Sequence, residues 1–117
     1  MKQIVQGVEF LHKLNFVHRD IHPSKFQCFM PENTIKLNPI GLPYNFKKLL
    51  KRDNFSGHIN YSAPELILER LEFSSKVDIW SLGCCLYYLI MKRDPFDAQN
   101  PYLIKENILN RRIDMNY

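Results

Sequence analysis

A chain of 117 residues is long enough for one domain with a modest core. Its 45% apolar and 24% charged residues are ordinary for a soluble globular chain. The net charge of +4, from 16 basic and 12 acidic residues, is spread out, and its densest run, Lys47, Lys48, Lys51 and Arg52, reads as a solvated face rather than a nucleic-acid site. Three cysteines argue against a disulfide framework; Cys84 and Cys85 sit together in an apolar run and read as core, which points to a reduced, intracellular, cytoplasmic setting. No apolar leader core follows the first basic residue, and the most apolar stretch, 79 to 91, is too short for a bilayer, so no membrane association is expected.

In chain order, Ile4, Val5, Val8, Leu11, His12 and Leu14 fall near helical spacing and predict an amphipathic helix over 2–14, with Asn15 as its stop. Phe16 to Pro23 is a short extended piece entering a loop. Phe26–Phe29 and Thr34–Leu37 predict two short strands, joined by the turn chemistry of Met30-Pro31-Glu32-Asn33. Residues 38–60 are irregular, and so long a loop in a small domain is usually functional or disordered. Pro64 opens a helix over 64–70. Ser75 to Lys92 is apolar nearly all round and predicts a central buried helix, ended by Pro95. Asn100-Pro101 starts a last helix running to about 110. The fold class is mostly α (α+β), helical with one small β-hairpin.

Several segments resemble one family together, in that family's order. Gln3-Ile4-Val5 through Leu11-His12, then His18-Arg19-Asp20, resemble the helix and catalytic loop of a eukaryotic-type, serine/threonine-like protein kinase. Lys36-Leu37 and Gly41-Leu42 stand where the family has its magnesium-binding Asp-Phe-Gly turn. Gly57, Tyr61 and Ala63-Pro64-Glu65 are similar to the end of the activation segment. Lys76 to Cys84, including Asp78, Trp80 and Gly83, resembles the start of the central helix, and Asp94-Pro95-Phe96 the loop after it. The resemblance covers 1–117 as a partial kinase domain, the C-terminal lobe without its N-terminal lobe.

The resemblance implies roles and departures. Asp20 matches the residue that orients the substrate hydroxyl and takes its proton. His22 stands for the family's lysine at the transferred phosphate; a histidine, with an ordinary pKa of about 6.5, is a weaker cation but still donates a hydrogen bond. Lys25 stands for the asparagine that holds one magnesium, and an ammonium has donors and no acceptor. It either replaces part of the metal's charge or, the favoured reading, lies in solvent. Pro39 stands for the metal-binding aspartate and Ile40 for the phenylalanine. Asn38, one residue away, offers only an amide oxygen, so no metal ligand is assigned. His58 replaces the small hydroxyl residue that braces the catalytic loop, and Ser56 is a candidate phosphosite for Arg19. Asp78 matches the buried aspartate that accepts from the catalytic-loop backbone. Trp80 and Gly83 read as packing residues. Glu65 matches a residue whose arginine partner lies further downstream in the family.

No cofactor follows from these residues alone; ATP and magnesium are implied if the complete protein is active. Three readings stand: a pseudokinase lobe acting through a protein partner or an N-terminal lobe, part of an ATP-dependent kinase of protein hydroxyls, or a truncated product without independent function. The two altered metal positions rank the first above the second.

Overall fold

The computed structural model describes residues 1–38, 59–68, 74–110 and 113. Helix α1, Lys2–Lys13, turns Ile4 and Val8 into the core, and each contributes about 1.5–3 kcal/mol by leaving water. It stops where Asn15 adopts φ 61, the left-handed conformation expected of an asparagine there.

Beyond the loop that follows, a 3-10 turn, Pro23–Lys25, leads directly into strand β1, Phe26–Phe29. Strand β2, Thr34–Leu37, pairs antiparallel with it, from Phe26 opposite Leu37 to Phe29 opposite Thr34. Both strands have the boundaries expected from the sequence. The hairpin is tied to α1 by Gln3, whose Nε2 donates to the Asn33 carbonyl at 3.2 Å and whose Oε1 accepts the N–H of Ile35.

A second 3-10 turn, Ile59–Tyr61, precedes the one-turn helix α2, Pro64–Ile67. The helix expected over 64–70 is shorter at its described end, because Leu68 leaves helical geometry with φ −79 and ψ 5; residues 69–73 lie outside the described residues. Helix α3, Lys76–Met91, ends at Lys92 in the left-handed conformation, and α4, Pro101–Leu109, begins where the Asn100 side chain accepts the N–H of Leu103 at 3.0 Å.

One cluster unites Ile4, Val8, Ile21, Leu82, Phe96 and Ile108, and Trp80 stacks on Phe96 with ring centroids 5.7 Å apart. Cys84 and Cys85 are buried in it, and burial pushes both thiols up to about 12, so neither is a thiolate nucleophile. Cys28 is exposed.

Two expectations for α3 are corrected. The helix is not buried all round: Val77, Asp78, Ser81, Leu82, Cys84 and Cys85 face inward, whereas Ile79, Leu86 and Ile90 are 51%, 46% and 62% exposed. Gly83 lies in that same outward row, and among the described residues a Cβ added to it would meet nothing within 4 Å, so they show no packing role for it. Uniform hydrophobicity hides which side has neighbours, and among the described residues only one side does.

Candidate functional site

The site is built on a single buried carboxylate. Asp78, in the first turn of α3, is fully buried. Its Oδ1 accepts the backbone N–H of Arg19 at 2.7 Å, and its Oδ2 accepts that of His18 at 2.8 Å and meets His12 Nε2 at 2.7 Å. A carboxylate removed from water needs such partners to survive ionised. The bonds also hold Arg19 at φ 68, a conformation that costs a non-glycine residue on the order of 1 kcal/mol.

His18 is buried behind this loop. Its Nδ1 accepts the N–H of Asp20 at 3.3 Å, so the ring proton sits on Nε2, which donates to the Asn38 carbonyl at 3.4 Å. Burial lowers the His18 pKa below its ordinary value, outweighing the Asn38 carbonyl and the charges of Asp78 and Asp20, so the ring is neutral at pH 7.

Asp20 is presented outward, its side chain 47% exposed. Lys25 Nζ lies 3.2 Å from its Oδ2, and His22 Nε2 lies 3.7 Å from its Oδ1. Burial alone would raise the Asp20 pKa, but the neighbouring His22 ring and Lys25 ammonium prevail and hold it at about 2.

The expectation that Lys25 lies in solvent is therefore corrected: its side chain is only 22% exposed, and the Asp20 carboxylate draws the ammonium in. Its backbone is fixed on both sides, by its N–H on the His22 carbonyl at 2.9 Å and by the Asn38 N–H on its own carbonyl at 2.7 Å. Lys25 and Asn38 are thus adjacent although far apart in sequence.

On the other side of His22, whose ring centroid is 6.3 Å from that of Tyr61, the 59–65 segment is pinned to the loop between α3 and α4. Tyr61 Oη and Asn60 Nδ2 donate to the two oxygens of Asp94, the second at 2.8 Å, and Ser81 Oγ donates to the Tyr61 carbonyl at 2.7 Å. Burial and then the Asp94 bond push the Tyr61 phenol well above its ordinary pKa. Ala63 is fully buried against Leu66 and Val77, and Pro64 occupies the first turn of α2. Glu65 has no hydrogen bond or ion pair among the described residues.

His12 and Asp94 belong to this framework although the sequence reading gives them no role. For His12 a signal exists, a polar residue beside Leu11 on the inward stripe of α1; for Asp94 none does, since nothing local says that it meets Tyr61. Pro39, Ile40, Gly41, Ser56, Gly57 and His58 lie outside the described residues. An open groove of about 370 Å³ runs between α1 and β2 beside His18, lined by Gly7, Phe10, Leu11, Ile35 and Leu37.

Residues 1–116 match the protein kinase domain family. The chain belongs to that family. It is 35% identical over 95% of its length to an Aurora kinase of Eremothecium gossypii, covering 30% of that protein. It is 37% identical over 84% of its length to the human SNF-related serine/threonine-protein kinase, covering 13% of it, and 35% identical over 82% of its length to a probable myosin light chain kinase of Dictyostelium discoideum, covering 20%. All three are kinases by name, and the chain spans less than a third of the length of each.

The family implies magnesium, and the described residues around Asp20 do not fit it. The nearest cation to Asp20 is the Lys25 ammonium, which has no lone pair and repels a divalent ion. Asn38, the other candidate, offers only a neutral amide oxygen, a weaker ligand for a divalent ion than a carboxylate. Among the described residues, no three His, Cys, Asp or Glu side chains are grouped to hold a metal, and no helix is long and apolar enough to cross a membrane.

Proposed function

We propose that this kinase-family lobe does not transfer phosphate and works by binding a protein partner. The observation that carries the reading is the 3.2 Å contact between Lys25 Nζ and Asp20 Oδ2. Phosphoryl transfer relies on divalent ions to neutralise the phosphates and on a carboxylate to receive the hydroxyl proton. Here an internal ammonium occupies that carboxylate, and an acid with a pKa of about 2 is a weak base. Pro39 removes a side-chain oxygen at the second metal position.

The partner half of the proposal rests on exposed apolar side chains: Ile79, Leu86 and Ile90 along α3, and Phe10, Leu14 and Phe16 at the end of α1. Such rows favour covering by another protein surface. The test is a phosphotransfer assay on the full-length protein with magnesium or manganese. No turnover above the Asp20→Asn variant is expected; turnover that Asp20→Asn abolishes refutes the reading.

A second reading, part of an active serine/threonine kinase using ATP on protein hydroxyls, is favoured by the intact anchoring of the His18-Arg19-Asp20 loop on Asp78. It requires a magnesium-dependent thermal shift with ATP.

A further inference from the structure

We infer that the groove between α1 and β2 takes an extended, apolar segment of a partner protein, flanked by acidic residues, which adds to the open edge of β2 as a third strand. The inference rests on the partner-binding reading above and names the surface used and the chemistry of the partner.

The first observation is the strand edge. Asn38 N–H bonds the Lys25 carbonyl on the β1 side, whereas Ile35 N–H turns the other way, to Gln3 Oε1 on α1. Backbone groups alternate in direction along a strand, so the Ile35 carbonyl and Leu37 N–H also face away from β1. Among the described residues no hydrogen bond reaches either of them. Gln3 already imitates a third strand at one end of this edge, its amide bonding the Asn33 carbonyl at 3.2 Å and the Ile35 N–H. An added backbone continues that pairing by accepting from Leu37 and donating to Ile35.

The second observation is the apolar floor. Phe10 and Leu11 line the groove from α1, Ile35 and Leu37 line it from β2, and Phe10 is 62% exposed. Gly7 lines the helix side, where among the described residues an added Cβ would meet nothing within 4 Å, so a peptide backbone can lie close to α1. An extended segment turns every second side chain into this floor. A helix would leave the β2 edge groups unpaired, because its own N–H and C=O groups are satisfied internally.

The third observation is charge. Among the described residues that line the groove, with His18 neutral, Lys36 is the only charged one. Its Nζ stands 4.9 Å from the Phe29 ring centroid and makes no ion pair among the described residues. Glu9, next to Phe10 on α1, is held by Lys13 at 2.8 Å. The groove therefore carries one uncompensated positive charge, which suits a carboxylate beside the apolar residues of the partner.

The probe is a capped peptide, Ser-Val-Leu-Val-Glu-Glu, titrated by calorimetry into the full-length protein, with hydrogen exchange followed at the Leu37 amide. Binding is expected, with slower exchange at Leu37. N-methylating two adjacent residues of the peptide, one of which must face the strand edge, should weaken binding about tenfold or more. Lys36→Glu should weaken it about threefold to tenfold and favour a peptide with lysines in place of the glutamates. Gly7→Leu, which fills the groove from the helix side, should abolish binding. Lys76→Ala, an exposed lysine at the start of α3, should leave it unchanged, and a thermal melt of each variant shows that it is folded.

No binding overturns the inference, and a Leu37 amide already protected in the free protein then shows that the chain itself covers the groove. Binding that survives Gly7→Leu, or that ignores N-methylation, also overturns it. So does self-association that Gly7→Leu abolishes, which makes the occupant a second copy. None of these results touches the non-catalytic reading, which falls to turnover that Asp20→Asn abolishes.

Discussion

Asp78 Oδ1 accepts the backbone N–H of Arg19 at 2.7 Å across 59 residues of sequence, and Arg19 is held there at φ 68. One carboxylate thus joins the central helix to the loop that carries Asp20. Asp78→Ala would leave the N–H groups of Arg19 and His18 without their acceptor and a cavity in place of the side chain. A loss of about 3 kcal/mol or more is expected, against about 1 kcal/mol for His12→Ala, which removes one of the three contacts. Urea unfolding of the two variants checks the order; equal losses would show that the backbone bonds do not dominate.

Tyr61 and Asp94 form the second long-range tie. Tyr61→Phe and Asp94→Ala should each destabilise by about 1–3 kcal/mol, the second by more because it also removes the Asn60 bond, and the double variant should lose less than the sum because the Tyr61–Asp94 bond is common to both. A double-mutant cycle in urea measures that coupling. Strict additivity would contradict the contact.

Among the described residues, nothing comes within 4 Å of a Cβ added to Gly83 in its helix. Gly83→Ala should therefore stabilise the lobe by about 0.5–1 kcal/mol, from helix propensity alone. A fall in thermal midpoint would mean that something does pack against that row.

The lobe should lose stability with acid in two stages. His18 has its folded pKa below the ordinary 6.5, so the unfolded chain binds more protons below that pH; the contribution of neutral His18 is complete above 6.5 and fades as pH falls beneath it. Asp20 is held at about 2 against an ordinary 3.8, so its contribution is present above 3.8 and disappears as pH falls toward 2. The second stage is the smaller, because Asp20 is half exposed and its ion pairs are screened. Urea midpoints at descending pH test this; a midpoint unchanged from about pH 7 to about pH 5 would contradict the first stage.

Local signals in the sequence were enough for the helices and strands. Pro64 and Pro101 mark helix starts, Asn15 marks a stop, and the two strands have their expected ends, whereas the 3-10 turns Pro23–Lys25 and Ile59–Tyr61 had no counterpart in the sequence reading. The arrangement of the site was legible only in part. His18, Arg19 and Asp20 are contiguous, and their anchoring to Asp78 follows from the family resemblance. The position of the Lys25 side chain does not: a lysine ordinarily favours water, and only the nearby Asp20 carboxylate reverses that preference. The outward row of α3 was equally hidden, since Ile79, Leu86 and Ile90 are as apolar as their buried neighbours.

The central claim is that Lys25 keeps divalent metal away from Asp20. It is tested most directly by adding manganese, with and without ATP, to the full-length protein and following paramagnetic broadening of the backbone amides of Asp20 and Lys25. The natural protein should show no broadening confined to this loop, and Lys25→Asn should acquire it. Broadening of those amides in the natural protein at stoichiometric manganese would contradict the account.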